Sequence, residues 1–80
     1  MRRADKPLRY GEHARDRMRQ RSIREDQAER TVHDPQVIRP ARRRGARRFE
    51  RELSPRRRLA VIAEESTDMI TIISAFWVNR

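Results

Sequence analysis

Two apolar runs near the C-terminus, Leu59 to Ala63 and Met69 to Val78, limit what this chain can fold into, because they hold most of its strongly apolar side chains. β-Branched and aromatic residues dominate both runs, which suits pleated strands better than helix. Ser66, Thr67 and Asp68 between them supply turn chemistry, so Arg57 to Val78 reads as a β-hairpin. Strict alternation in the second run places Ile70, Ile72, Phe76 and Val78 on one face and Ile73, Ala75 and Trp77 on the other. A strand apolar on both sides is not a solvated edge. Helices are expected to cover one face, and the other is either weakly covered or meets a partner chain.

The segments upstream supply the cover. Met1 to Pro7 is charged and carries a proline, so residues 1–8 read as a flexible tail before a single domain over 9–80. Leu8 to Tyr10 forms a brief extended piece. Tyr10, Ala14 and Met18 then recur every four residues, which predicts a helix from Gly11 whose apolar stripe faces the sheet. A second helix runs from Ser22 or Arg24 to His33, either as a hairpin with the first or as one bent arm. Asp34-Pro35 stops it, since a residue before proline avoids the α region. Val37 and Ile38 begin a strand that Pro40 confines to an edge. Arg47 to Leu53 alternates, with Phe49, Arg51 and Leu53 on one face and Arg48, Glu50 and Glu52 on the other, and Phe49 and Leu53 are expected to go inward. The expected fold is α+β, with two N-terminal helices packed on a four-stranded antiparallel sheet.

An 80-residue chain buries only about 60 to 65 per cent of its unfolded surface, so the core is thin. Without cysteine, no disulfide or thiolate metal site reinforces it, which fits a reducing cytoplasm. No apolar run approaches the roughly 20 residues needed to span a bilayer, so a soluble cytoplasmic protein is expected, with no membrane contact. The net charge is +9, and its placement says more than its size. Residues 39–58 hold ten arginines against Glu50 and Glu52, which leaves the remainder nearly neutral. Arginine-codon bias accounts for arginine over lysine but not for this clustering. A clustered arginine surface grips phosphates bidentately and releases counterions, which points to a polyanion partner.

Several chemistries find no support. Gly11 and Gly45 are too few for a glycine-rich phosphate loop, and no cofactor is implied. His13 and His33 lack zinc-motif spacing, so no metal site is expected. Glu12, Asp16, Glu25, Asp26 and Glu29 read as solvated helix faces, and Glu50 and Glu52 as cross-strand ion-pair partners rather than general bases. Phe49 and Phe76 read as core rather than base-stacking platforms. Trp77 fits a dimer interface, the helix-packed core or a stacked base, and a homodimer is one possible assembly.

His13, Arg17 and Arg21 fall at i, i+4 and i+8, one stripe beside the buried face of the first helix. Histidine exchanges a proton near neutral pH, and arginines beside it stabilise a developing phosphorane charge. The alternative is structural, with the arginine stems lying over the sheet and His13 donating a hydrogen bond. These residues, the acidic second helix ending Asp34-Pro35, the strand Arg47-Arg48-Phe49-x-Arg51-Glu52-Leu53, Arg58-Leu59 and the closing Ala75-Phe76-Trp77 resemble a small bacterial family, domain of unknown function 4258. The resemblance spans about Tyr10 to Trp77. Arg24 departs from it, standing where the family often has a serine helix cap.

That family is thought to be similar in fold to the RelE and BrnT ribonuclease toxins, and the resemblance implies a metal-independent endoribonuclease of a toxin–antitoxin system. His13 is then the general acid or base, with Arg17 and Arg48 as phosphate stabilisers. Arg42, Arg43 and Arg44 grip the RNA backbone, and Arg21, Arg47, Arg51, Arg57 and Arg58 extend the surface. Ribosome-associated messenger RNA is the implied target and an acidic or amphipathic antitoxin chain the implied partner. Two other classes remain open, a non-catalytic nucleic-acid-binding module using the same patch and an interaction protein whose arginines bind an acidic protein.

Overall fold

A computed structural model describes residues 2–78; Met1, Asn79 and Arg80 lie outside the described residues. The two apolar runs form the antiparallel strands β4 (Arg57–Glu65) and β5 (Ile70–Val78) at the centre of the sheet. Their turn is closed by a bond from Ser66 N–H to Met69 O, 2.8 Å. β3 (Arg47–Ser54) pairs antiparallel with β4, and β2 (Val37–Pro40) with β3. Pro40 lies on the edge strand, where its missing N–H costs no ladder bond.

Two features of the sheet differ from the sequence expectation. The sheet has five strands and is mixed, not four-stranded and antiparallel, because β1 (Leu8–Tyr10) pairs parallel with β5 through Leu8↔Ile70, Arg9↔Thr71 and Tyr10↔Ile72. The strand order is β1-β5-β4-β3-β2. Three residues are too few to show alternation, and their partner lies some sixty residues away in sequence, so local pattern carries no sign of the pairing. The second difference is a β-bulge. Ile62 pairs with Ser74 but Ala63 with Ile72, which leaves Ile73 as an extra residue on β5. The bulge switches the phase of alternation. Ile70, Ile72 and Ala75 are all fully buried on the helix side with Trp77 packed against them, and Phe76 turns to the opposite face.

Both helices pack on one face of the sheet. α1 (Ala14–Gln20) lies on β5, and α2 (Glu25–His33) on β3 and β4. Tyr10 belongs to β1 and the helix begins only at Ala14, because Gly11 N–H still bonds Ile72 O at 2.8 Å and His13 is left-handed, φ 69°. At the start of α2, Arg24 takes the cap position and its N–H bonds Gln27 Oε1 at 2.9 Å. Met18, Val32, Phe49, Leu59, Val61, Ile70 and Ile72 are fully buried between the layers. Each contributes about 1.5–3 kcal/mol through removal from water. Thr31, buried among them, bonds its hydroxyl to Gln27 O at 2.9 Å.

Ahead of β1, where the sequence suggests a flexible tail, Arg3–Asp5 make one 3-10 turn. Lys6 is buried, and its Nζ donates to Glu65 Oε2 and to Ser66 O, both at 2.7 Å. Arg3 and Arg47 also pair with Glu65, and both guanidiniums lie over the Phe49 ring. Among the described residues no helix is long and apolar enough to cross a membrane.

Candidate nucleic-acid interface

The sheet face away from the helices carries Arg39, Arg48, Glu50, Arg58, Ala60, Ile62 and Phe76, since Glu50↔Ala60↔Phe76 and Arg39↔Arg48↔Ile62 are cross-strand neighbours. Glu50 is buried at its centre with only 4% of its surface exposed. A buried carboxylate is tolerated only when paired and hydrogen-bonded. Arg48 Nε donates to Glu50 Oε2 at 2.6 Å and Arg58 Nε to Oε1 at 2.8 Å, while Arg39 Nε lies 3.3 Å from Oε2. Burial raises the Glu50 pKa, but the bonds from Arg58 and Arg48 outweigh it and hold the carboxyl below the ordinary glutamate range. The carboxylate stays charged and fixes the arginines. Glu52 stands cross-strand to Arg58 on the same face, so these three guanidiniums against two carboxylates leave one positive charge in excess.

Beside this cluster the β2–β3 turn forms one wall of a hollow of about 450 Å³, lined by Pro40, Ala41, Arg42, Arg43, Arg48, Ile62 and Phe76. Gly45, at φ 83°, gives the turn a left-handed position that costs other residues energy. The Arg48 guanidinium lies over the half-buried Phe76 ring, 4.9 Å from its centroid. Arg42 and Arg44 carry no ion pair or hydrogen bond among the described residues, and Arg43 pairs with Glu64 at 3.1 Å.

The predicted catalytic trio does not assemble. His13 and Arg17 line a separate hollow of about 400 Å³ with Glu12, Arg43, Glu64 and Thr71, and Arg48 is not among its walls. Arg43 lines both hollows. His13 is exposed, with Nε2 3.3 Å from Glu12 Oε1. Arg17 Nη1 donates to Ile73 O at 3.4 Å, and Arg21 Nη1 to Ala75 O at 2.8 Å and Ser74 Oγ at 3.3 Å. Beyond the short β1, the open edge of β5 is therefore capped by α1 side chains, which blunts a site for unwanted strand pairing. The structural alternative weighed from the sequence had the arginine stems over the sheet and His13 as a donor; here the guanidiniums bond edge carbonyls, and His13 pairs with Glu12.

Other arginines of the run turn to the helix side. Arg51 Nη1 donates to Asp34 O at 2.8 Å and pairs with Asp34 Oδ2, Arg47 binds Glu65, and Arg57 stacks 4.0 Å above Trp77. Trp77 itself is half-buried against the helix-packed core and donates from Nε1 to Arg21 O at 2.8 Å. Arg39, the Glu50 hub, Phe76 and Glu64 escaped sequence reasoning as a site. The alternation of β3 carried the signal for Glu50, whereas Phe76 was hidden by the bulge.

The geometry defines a small α+β domain with one sheet face covered by helices and the other bearing arginines ordered around a buried carboxylate. The chain belongs to the family described as Domain of unknown function (DUF4258), whose model matches residues 10–77. No curated protein and no solved structure shows significant similarity to it.

Proposed function

We propose that the protein binds RNA through the helix-free face of its sheet. The observation that supports this most is the Glu50 hub, which orders Arg48 and Arg58 by hydrogen bonds and draws the exposed Arg39 to the same carboxylate, with net positive charge beside the unpaired Arg42. Pre-ordered guanidiniums lose less side-chain entropy when they grip phosphates. Fluorescence anisotropy with a labelled RNA oligonucleotide at several salt concentrations tests the reading. Binding through about six phosphates weakens by roughly a thousandfold between 50 and 200 mM salt, and an Arg42→Ala, Arg43→Ala variant flattens the salt slope by about 1 to 2. An Arg19→Ala variant on the far side of α1 serves as the control. Absence of salt-sensitive binding by the wild type refutes the reading.

A ribonuclease of the toxin type, kept in check by an antitoxin chain, is the second reading, and it is favoured by one observation. His13, Arg17, Arg43 and Glu64 surround a single open hollow that adjoins the arginine face through Arg43. There His13 supplies proton transfer and the arginines supply charge stabilisation for attack of a 2′-hydroxyl on its own phosphodiester. Arg48 belongs to binding rather than to that chemistry. Mapping new RNA 5′ ends in cells after brief induction of the wild type and a His13→Ala variant decides it. Cuts confined to the wild type support catalysis, and no cuts from either leave a binding module.

A further inference from the structure

Not every cationic face distinguishes single strands from duplexes. This one carries more than charge, because the hollow at the β2–β3 turn has an apolar floor of Ile62 and Phe76 beneath the guanidinium of Arg48. Such a floor is out of place on a surface built for phosphates alone. Phe76 reaches it only because the Ile73 bulge reverses the alternation of β5, and no helix lies over this face. At about 450 Å³ the hollow is roomy enough for a nucleobase. Its lining also carries Arg42 and Arg43, and Arg43 pairs with Glu64 at 3.1 Å.

We infer that this hollow receives one unpaired nucleobase of single-stranded RNA, packed on Ile62, the uncovered part of Phe76 and the outer face of the Arg48 guanidinium that Phe76 supports, while Arg42 and Arg43 hold the flanking phosphates. The inference rests on the RNA-binding reading and names its substrate class. Aromatic and guanidinium planes both stack on bases, and every base has a π-face, so the site tolerates sequence and selects for an unstacked strand. A base inside an A-form duplex is stacked on both sides and offers only its edges. The duplex therefore meets the arginines but leaves the floor empty.

The experiment compares an unstructured 12-nucleotide RNA with the same strand annealed to its complement, at one salt concentration, for the wild type and for Phe76→Leu and Phe76→Tyr. The single strand is expected to bind the wild type about tenfold more tightly than the duplex, a preference that Phe76→Leu reduces to within about twofold and Phe76→Tyr retains. A 2-aminopurine base at the centre of the strand reports the seating directly. Its fluorescence is expected to fall on binding to the wild type and to change little with Phe76→Leu, with circular dichroism confirming that each variant is folded. Equal binding of single strand and duplex overturns the base site and leaves the RNA-binding face standing. A preference unaffected by Phe76→Leu in folded protein also overturns the base site. Failure of the wild type to bind either RNA overturns both.

Discussion

Replacing Glu50 with glutamine removes one charge and leaves the shape nearly unchanged. In the native protein the Glu50 side chain is 5% exposed, whereas Arg58, Arg48 and Arg39 retain 18%, 30% and 61% of their side-chain exposure. Breaking a buried ion pair by removing one partner costs about 3–5 kcal/mol. Here the arginines can turn toward water, so the stranded charge is partly relieved, and about 2–3 kcal/mol is expected near pH 7. For an 80-residue domain with a total stability of about 4–12 kcal/mol, that is a large share. It corresponds to roughly 10–20 °C in Tm.

The pH dependence separates charge from packing. Burial raises the Glu50 pKa, but the Arg58 and Arg48 hydrogen bonds and charges prevail and its folded-state value lies below the unfolded one. Its contribution is therefore fully present above the unfolded value of about 4.3 and is lost as pH falls through the folded value. Urea unfolding of wild type and Glu50→Gln, followed from about pH 7 downward, is expected to show a gap that narrows below about pH 4.3 as the wild-type glutamate takes up its proton. A gap under about 0.5 kcal/mol at neutral pH, which is surface-level behaviour, refutes the hub as a structural centre. A gap that stays constant down to acid attributes the effect to packing instead.

Three further outcomes follow from the same geometry. Lys6→Met severs the ties to Glu65 and Ser66 and is expected to cost about 1–3 kcal/mol, with faster amide exchange over residues 2–10 than in the wild type; unchanged exchange there refutes the tether. Arg21→Ala uncaps Ala75 O on the edge of β5, so sedimentation is expected to show concentration-dependent association that the wild type lacks. Arg56, at φ 69° in the β3–β4 turn, is left-handed, and Arg56→Gly is expected to stabilise the protein by about 0.5–1 kcal/mol in urea melts.

How much of this was legible in the sequence varies with the range of the interaction concerned. The hairpin of β4 and β5, the inward Phe49, the edge position of Val37–Pro40 and the stop at Asp34-Pro35 are local matters of composition and spacing, and each is present in the fold. β1 was not legible as a strand of this sheet, because a three-residue parallel pairing is decided by its distant partner. The bulge at Ile73 was not legible either. An apolar residue on an apolar strand gives no sign that it is the extra one, so the phase of Phe76 and Trp77 came out reversed. The arginines show the same limit. Their clustering was plain, yet which of them meet Glu50, Glu65 or Asp34 depends on register, and register turns Arg47 and Arg51 to the helix side while Arg48 and Arg58 face the open side. The spacing of His13, Arg17 and Arg21 suggests one helical row, but His13 and Arg21 only flank α1, and the carbonyls that receive Arg17 and Arg21 lie on β5, more than fifty residues away.

The claim that the open face is the RNA interface is tested most directly by amide chemical-shift mapping of the labelled protein titrated with a single-stranded 12-nucleotide RNA. Perturbed amides are expected to concentrate in residues 39–50, 58–62 and 74–78, while those of α1 and α2 move little. Shifts centred on the exposed side of the helices, or no shifts under conditions where the RNA is in excess, contradict it.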